Sequence, residues 1–173
     1  MEGKPRPGRA RPSHHVTWTH RKRPGRTLAI VDVENLLGPD RFDPHGVACG
    51  LAVSLAAVAE LEDDDHIVVG SDVTIGHAVG LAFPGRRLVL GRGRDGADHA
   101  LLAAVGSTSF VSDRFDRVVL ASGDHIFAPL VRGLVRTGVE AWVVARAAAL
   151  SRALAREASC VRSFVPDLPR LAA

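Results

Sequence analysis

From residue 27 onward the chain alternates between two periods, and that alternation constrains its fold more than any other feature. Short runs rich in Val, Ile and Leu at residues 27–33, 66–70, 87–91, 117–121 and 139–144 read as strands, with a shorter sixth at 161–165. Between the first two, Val47, Leu51, Leu55 and Val58 recur at helical spacing. Between the fourth and fifth, Phe127, Leu130, Val131, Leu134 and Val135 form a helical stripe that Thr137-Gly138 closes. Weaker helical patterns occupy residues 72–81 and 98–105. Strands alternating with helices imply crossover connections and a mainly parallel sheet covered on both faces. The expected architecture is α/β, a three-layer α/β/α sandwich with a parallel sheet of five or six strands.

The charge is divided along the chain. Residues 1–26 hold eight Lys/Arg against Glu2 alone, a charge of +7, whereas the remaining residues carry −4, so the net +3 of the chain comes from this segment. With Pro5, Pro7, Pro12 and Pro24 and little apolar surface, residues 1–26 read as a basic tail that does not fold alone. The expected organisation is that tail, a domain at 27–165 and a short C-terminal tail at 166–173. Cys49 and Cys160 form no metal-binding or CxxC spacing and read as reduced thiols. No segment approaches the roughly 18 uninterrupted apolar residues of a membrane span. A cytoplasmic protein with no membrane partner is the expectation.

Ligands of open parallel sheets bind outside the carboxyl ends of the strands, so residues just past those ends are the chemical candidates. The first strand ends in LAIVDVENLLG, which sets Asp32, Glu34 and Asn35 where an apolar strand should stop. The third runs into GRGRDGADHALL with Asp95 and Asp98, and the fourth into ASGDHIFAPL with Asp124 directly after Ser122-Gly123. Asp98 and Asp124 stand where helices begin, so either suits an N-cap. Asp32 interrupts a strand, and no capping role suits it from the pattern alone. Glu34 reads as a first-turn or surface residue. If their strands are neighbours, Asp32, Asp98 and Asp124 converge, and converging carboxylates call for a hard dication. Mg²⁺ or Mn²⁺ would take one or two of them and keep several waters. Such an ion activates water against a phosphodiester. Asn35 and Ser122 are the supporting candidates.

At these residues, IVDVENLL, GADHALL and SGDHIFAPLVRGLVRTGVEAWVV, the sequence resembles the NYN domain family of PIN-like nucleases, related to bacterial LabA-type proteins. The resemblance covers roughly residues 27–165. It implies a PIN-like sandwich and metal-dependent cleavage of RNA, single-stranded RNA above all. Matched by position, the acidic cluster is Asp32, Asp98 and Asp124, which would be both catalytic and metal-binding, with Asn35 as the polar residue of the first motif. Family members often read SGDxDF, and here Ile126 takes the place of the second acid. Residues 99–106 also lack the further acid common on the GAD helix. These departures keep open a second reading, an RNA-binding or regulatory module that does not cut.

Arg92 and Arg94 in the third-strand loop, and Arg21, Lys22 and Arg23 in the tail, are the candidate contacts to an RNA backbone. The same loop, residues 91–96, matches GxGxxG literally, although a dinucleotide fingerprint belongs at the first βαβ unit and this is the third strand. Residues 62–65, Glu-Asp-Asp-Asp, read as a solvated turn at the opposite edge. His125 and His99 read as surface residues or, beside the acids, as proton carriers.

Overall fold

A computed structural model of the chain describes residues 25–38 and 44–165, and of residues 44–49 the backbone alone. Arg21, Lys22 and Arg23, with the rest of the basic tail, and residues 166–173 lie outside the described residues. In chain order the elements are β1 (Thr27–Asp32), α1 (Val33–Leu37), α2 (Pro44–Ala59), β2 (His66–Asp72), α3 (Gly76–Ala82) and β3 (Arg87–Gly91). Then follow α4 (Gly96–Val105), α5 (Thr108–Ser112), β4 (Arg117–Ala121), a 3-10 turn (His125–Phe127), α6 (Ala128–Arg136), β5 (Glu140–Ala145), α7 (Arg152–Glu157) and β6 (Cys160–Ser163). All strand pairs are parallel, in the order β3-β2-β1-β4-β5-β6. The expected α/β/α sandwich is what forms, with six strands.

The central strands are apolar throughout because both of their faces are covered. Along β1, Leu28 and Ile30 join Leu101 and Val105 of α4 and the α6 side chains Leu130, Val131 and Leu134 in one core cluster. Ala29 and Val31 point the other way, among Leu36, Leu51, Leu55 and Val79 of α1, α2 and α3. A one-residue slip of β1 would exchange these two sets, so the pairing of Ile30 with Val68 and Leu120 is tightly specified. In the α6 stripe, Val135 is the exposed member.

The short helices α1, α5 and α7 escape the periodicity, having five or six residues each. Asp72 ends β2 instead of opening a helix, and α3 starts only at Gly76. At the amino edge of the sheet, the four-acid run divides. Asp63 and Asp64 are exposed as expected, but Asp65 is buried and accepts from the Glu62 amide. Its Oδ2 lies 3.9 Å from the guanidinium of Arg117, which is itself buried at the start of β4.

Candidate active site at the carboxyl edge

The strand order reverses between β1 and β4: the chain first steps outward from β1 to β3, then returns to β1's other side. Such a switch point opens a crevice beyond the strand ends. Asp32 is the last residue of β1, and Ser122, Gly123 and Asp124 leave β4 beside it. Asp98 arrives from α4, which leaves β3 at the edge and returns across β2 to reach β1.

A lattice of hydrogen bonds ties the two turns together. Ser122 Oγ donates to Asp32 Oδ2 at 2.8 Å and accepts from the Asp124 amide at 3.1 Å. The Gly123 amide donates to Asn35 Oδ1 at 2.8 Å. A Cβ on Gly123 would lie 2.3 Å from the Ala149 carbonyl oxygen, so only glycine fits between Asn35 and the loop before α7. Arg146, just past β5, donates from Nε to the Asn35 carbonyl at 3.1 Å and braces the same turn.

Asp32 is 3 % exposed and Asp98 8 %. The two carboxyls act on one another, and both hold their protons more tightly than usual. Burial is the main cause for each, opposed at Asp32 by the Ser122 hydroxyl and the Asn35 amide. The Asp98 carboxyl is pushed up to about 7, by burial first and then by the Asp32 charge. Asp124 is more open, with Oδ1 accepting from the Ile126 amide at 2.9 Å and lying 2.9 Å from His125 Nδ1. Asp32, Glu34, Asn35, Asp95, Asp98 and Asp124 line one open hollow of about 180 Å³.

The capping roles fall differently from the sequence pattern. Asp32, for which no such role was expected, is the N-cap of α1 and accepts from the Asn35 amide at 3.2 Å. Asp124 caps the 3-10 turn. Asp98 caps nothing; it sits inside the first turn of α4 and faces Asp32. Three acids meeting at one hollow leave capping insufficient as an account of all of them.

Arg92 and Arg94 are exposed on the β3–α4 loop, and Arg94 Nε lies 3.8 Å from Asp95 Oδ2 at the rim of the hollow. A Cβ on Gly91 would sit 2.0 Å from the Gly96 carbonyl carbon. The GxGxxG match therefore reflects close packing of strand end against helix start. Arg146 and the inward position of Glu34 escaped the sequence reading. Glu34 Oε1 accepts from the Asp72 amide at 2.7 Å and so links α1 to β2. Both residues follow strand ends at this edge, which was the available signal.

The donor set is all oxygen, and its carboxylates are destabilised by burial and then by neighbouring like charge, which suits a hard dication. Asp32 spends one hydrogen bond on each oxygen, and a carboxylate retains further lone pairs. Among the described residues no three His, Cys, Asp or Glu side chains stand close enough to hold an ion together. Mg²⁺ or Mn²⁺ would therefore rest on Asp32 and Asp98, with water in the remaining positions.

This is a PIN-like α/β/α sandwich with an acidic hollow at its switch point. The NYN domain model matches residues 26–164, and the chain belongs to the NYN domain family. The family is one of PIN-like nucleases, which typically use divalent metals. A crystal structure of a protein of unknown function from Vibrio parahaemolyticus shares the fold, with a TM-score of 0.54. It is 18% identical, and the match covers 83% of this chain and 95% of that one. Comparison with curated proteins finds no match. Among the described residues no helix is long and apolar enough to cross a membrane.

Proposed function

We propose that this chain is a metal-dependent ribonuclease that hydrolyses phosphodiester bonds of single-stranded RNA. The observation that carries the reading is the buried Asp32–Asp98 contact at the floor of an acidic hollow. A like-charged pair of this kind is costly to keep for stability alone. When bound, Mg²⁺ or Mn²⁺ would supply Lewis acidity toward the phosphodiester and a water made acidic at neutral pH. Asp32 and Asp98 would hold the ion. Asp124, across the hollow, would orient the attacking water or reach the ion through one. Ser122 and Asn35 fix these carboxylates, through Asp32 Oδ2 and the Gly123 amide. Arg92 and Arg94, with Arg21, Lys22 and Arg23 of the tail, would gather the RNA backbone by charge. Residues 27–165 form the catalytic domain in this reading, flanked by the two tails. A reducing, cytoplasmic setting suits the free thiol of Cys160.

Purified protein should cleave single-stranded RNA when Mn²⁺ or Mg²⁺ is added, and the Asp32→Asn variant should not. Equal cleavage by that variant would sink the assignment and point to a contaminating nuclease. A second reading rests on Ile126, which offers the hollow no carboxylate, and on the acid-free remainder of α4. In it the domain binds RNA without turnover, and binding weakens with salt under every metal tested.

A further inference from the structure

A second cavity lies at the opposite edge of the sheet from the acidic hollow, and its lining is mainly basic and apolar. About 420 Å³ opens between the amino ends of β1, β2 and β3 and the α4–α5 corner, within the range of small-ligand sites. Leu28, Val68, Val105 and Val111 form its apolar walls. Arg26, Arg86, Arg87 and Arg114 stand around it, together with His66 and two phenylalanines.

The cations are already arranged on the rings. The Arg114 guanidinium lies 3.8 Å from the centre of Phe110, and Arg26 lies 5.3 Å from the centre of Phe115. His66 meets Phe115 edge-on at 5.4 Å. Phe110 is 49 % exposed, large for an aromatic ring with no structural need to face water. Arg87 gives one hydrogen bond to the Ala104 carbonyl, and Arg114 one to the Phe110 carbonyl. Among the described residues neither meets a carboxylate, so most of their N–H donors remain for an anion. Of the acids nearby, Asp65 lines the cleft but lies toward Arg117, Asp63 lies toward Arg86, and Asp116 accepts from the Arg26 amide, which leaves Arg87 and Arg114 as the chief cations for an anion.

We propose that this cleft binds a nucleoside monophosphate, with the base against the exposed Phe110 ring and the phosphate on Arg87, Arg114 and Arg26. A bare phosphate would have no use for the apolar walls, and an uncharged ring none for the arginines. Arginine and aromatic faces side by side are what stacks a planar base. The rest of the basic segment is a poor occupant, because its seven Lys/Arg before Arg26 would meet like charge. The site is separate from the acidic hollow and does not depend on catalysis there.

The test titrates AMP, GMP, CMP and UMP, adenosine and inorganic phosphate into the full chain, following the His66 ring by NMR and the heat by calorimetry. Saturable nucleotide binding that moves the His66 signals is expected. Arg87→Gln and Arg114→Gln, both surface changes, should each weaken it about tenfold through lost charge-assisted bonds. Asp32→Asn should leave it unchanged. Any of three outcomes overturns the proposal: no saturation by about 10 mM nucleotide, inorganic phosphate binding as tightly as the nucleotides, or undiminished affinity in both arginine variants. Nucleotide binding that disappears in Asp32→Asn would place the ligand in the hollow instead and overturn it equally.

Discussion

At the amino edge of the sheet, Arg117 is buried to 2 % exposure yet surrounded by partners: Thr27 Oγ1 at 3.2 Å, the Glu60 carbonyl at 3.0 Å, the Trp142 ring at 4.8 Å and Asp65 at 3.9 Å. At the carboxyl edge, Asp32 and Asp98 are almost as deeply buried, but the charges they meet are like charges, from Asp124 at Asp32 and from Asp32, Asp124 and Asp95 at Asp98. The first arrangement offsets desolvation with opposite charge, hydrogen bonds and a π face. The second leaves its repulsion standing, held in place by Ser122 and the Asn35 amide. Buried charge without compensation lowers stability, and its presence at a switch point is what the proposed function of this edge accounts for.

The sharpest way to break the comparison is to remove the charge at each edge in turn. Asp32→Asn keeps the side chain's shape, with its carbonyl oxygen for the α1 cap and its NH₂ able to donate to Ser122 Oγ, but removes the proposed ion ligand. RNA cleavage should fall on the order of a thousandfold, while the fold survives. The checks are a metal-dependent cleavage assay and circular dichroism on the same sample. Arg117→Met, in contrast, should leave any isolated chemistry intact but cost about 3–5 kcal/mol of stability, because Asp65 stays behind without its cation. Urea unfolding measures this; a loss under about 1 kcal/mol would show that the amino-edge pair is not what holds that edge.

The fold was readable because its signal is periodic. The β1 run, the α6 stripe and the Thr137-Gly138 stop each state their geometry in composition, and Gly138 does take the left-handed conformation, with φ 87°. Residues too few to show a period were not readable, which is why α1, α5 and α7 went unseen. At the site, the rule of strand ends located Asp32, Asp98 and Asp124, but it could not say how the side chains would be used. Whether Asp32 caps α1 depends on the backbone turning into a helix within one residue of the strand, which no pattern announces. Arg146 was missed for a different reason: a lone arginine after a strand carries meaning only once Asn35 is known to lie beside it.

The proton affinity of Asp98 gives a smaller but cleaner contrast. In the folded chain its carboxyl holds a proton up to about 7, against 3.8 for an ordinary aspartate, so the folded state binds more protons between those values. Stability without metal should therefore fall as pH rises from about 4 to 7, by at most a few kcal/mol at roughly 1.4 kcal/mol per unit. Asp98→Asn should flatten that slope and raise stability at neutral pH. Mn²⁺ should recover part of the loss in the native chain but not in Asp32→Asn. Thermal melts at stepped pH, with and without metal, read all three; a slope that survives Asp98→Asn would assign the proton elsewhere.

The loop carrying Arg92 and Arg94 tests whether the carboxyl edge gathers substrate as well as acting on it. Both side chains are exposed, and the 3.8 Å approach of Arg94 to Asp95 is a surface ion pair with little stability to lose. Replacing both by Gln should thus leave the melting temperature alone. RNA affinity should drop a few-fold, and the slope of log affinity against log salt should shrink by about one for each phosphate contact removed. The turnover rate at saturating RNA should hold, since neither guanidinium reaches the Asp32–Asp98 floor in this arrangement. If turnover falls while affinity stays, the arginines act on the reacting phosphate itself, and the division between gathering and cutting at this edge is drawn in the wrong place.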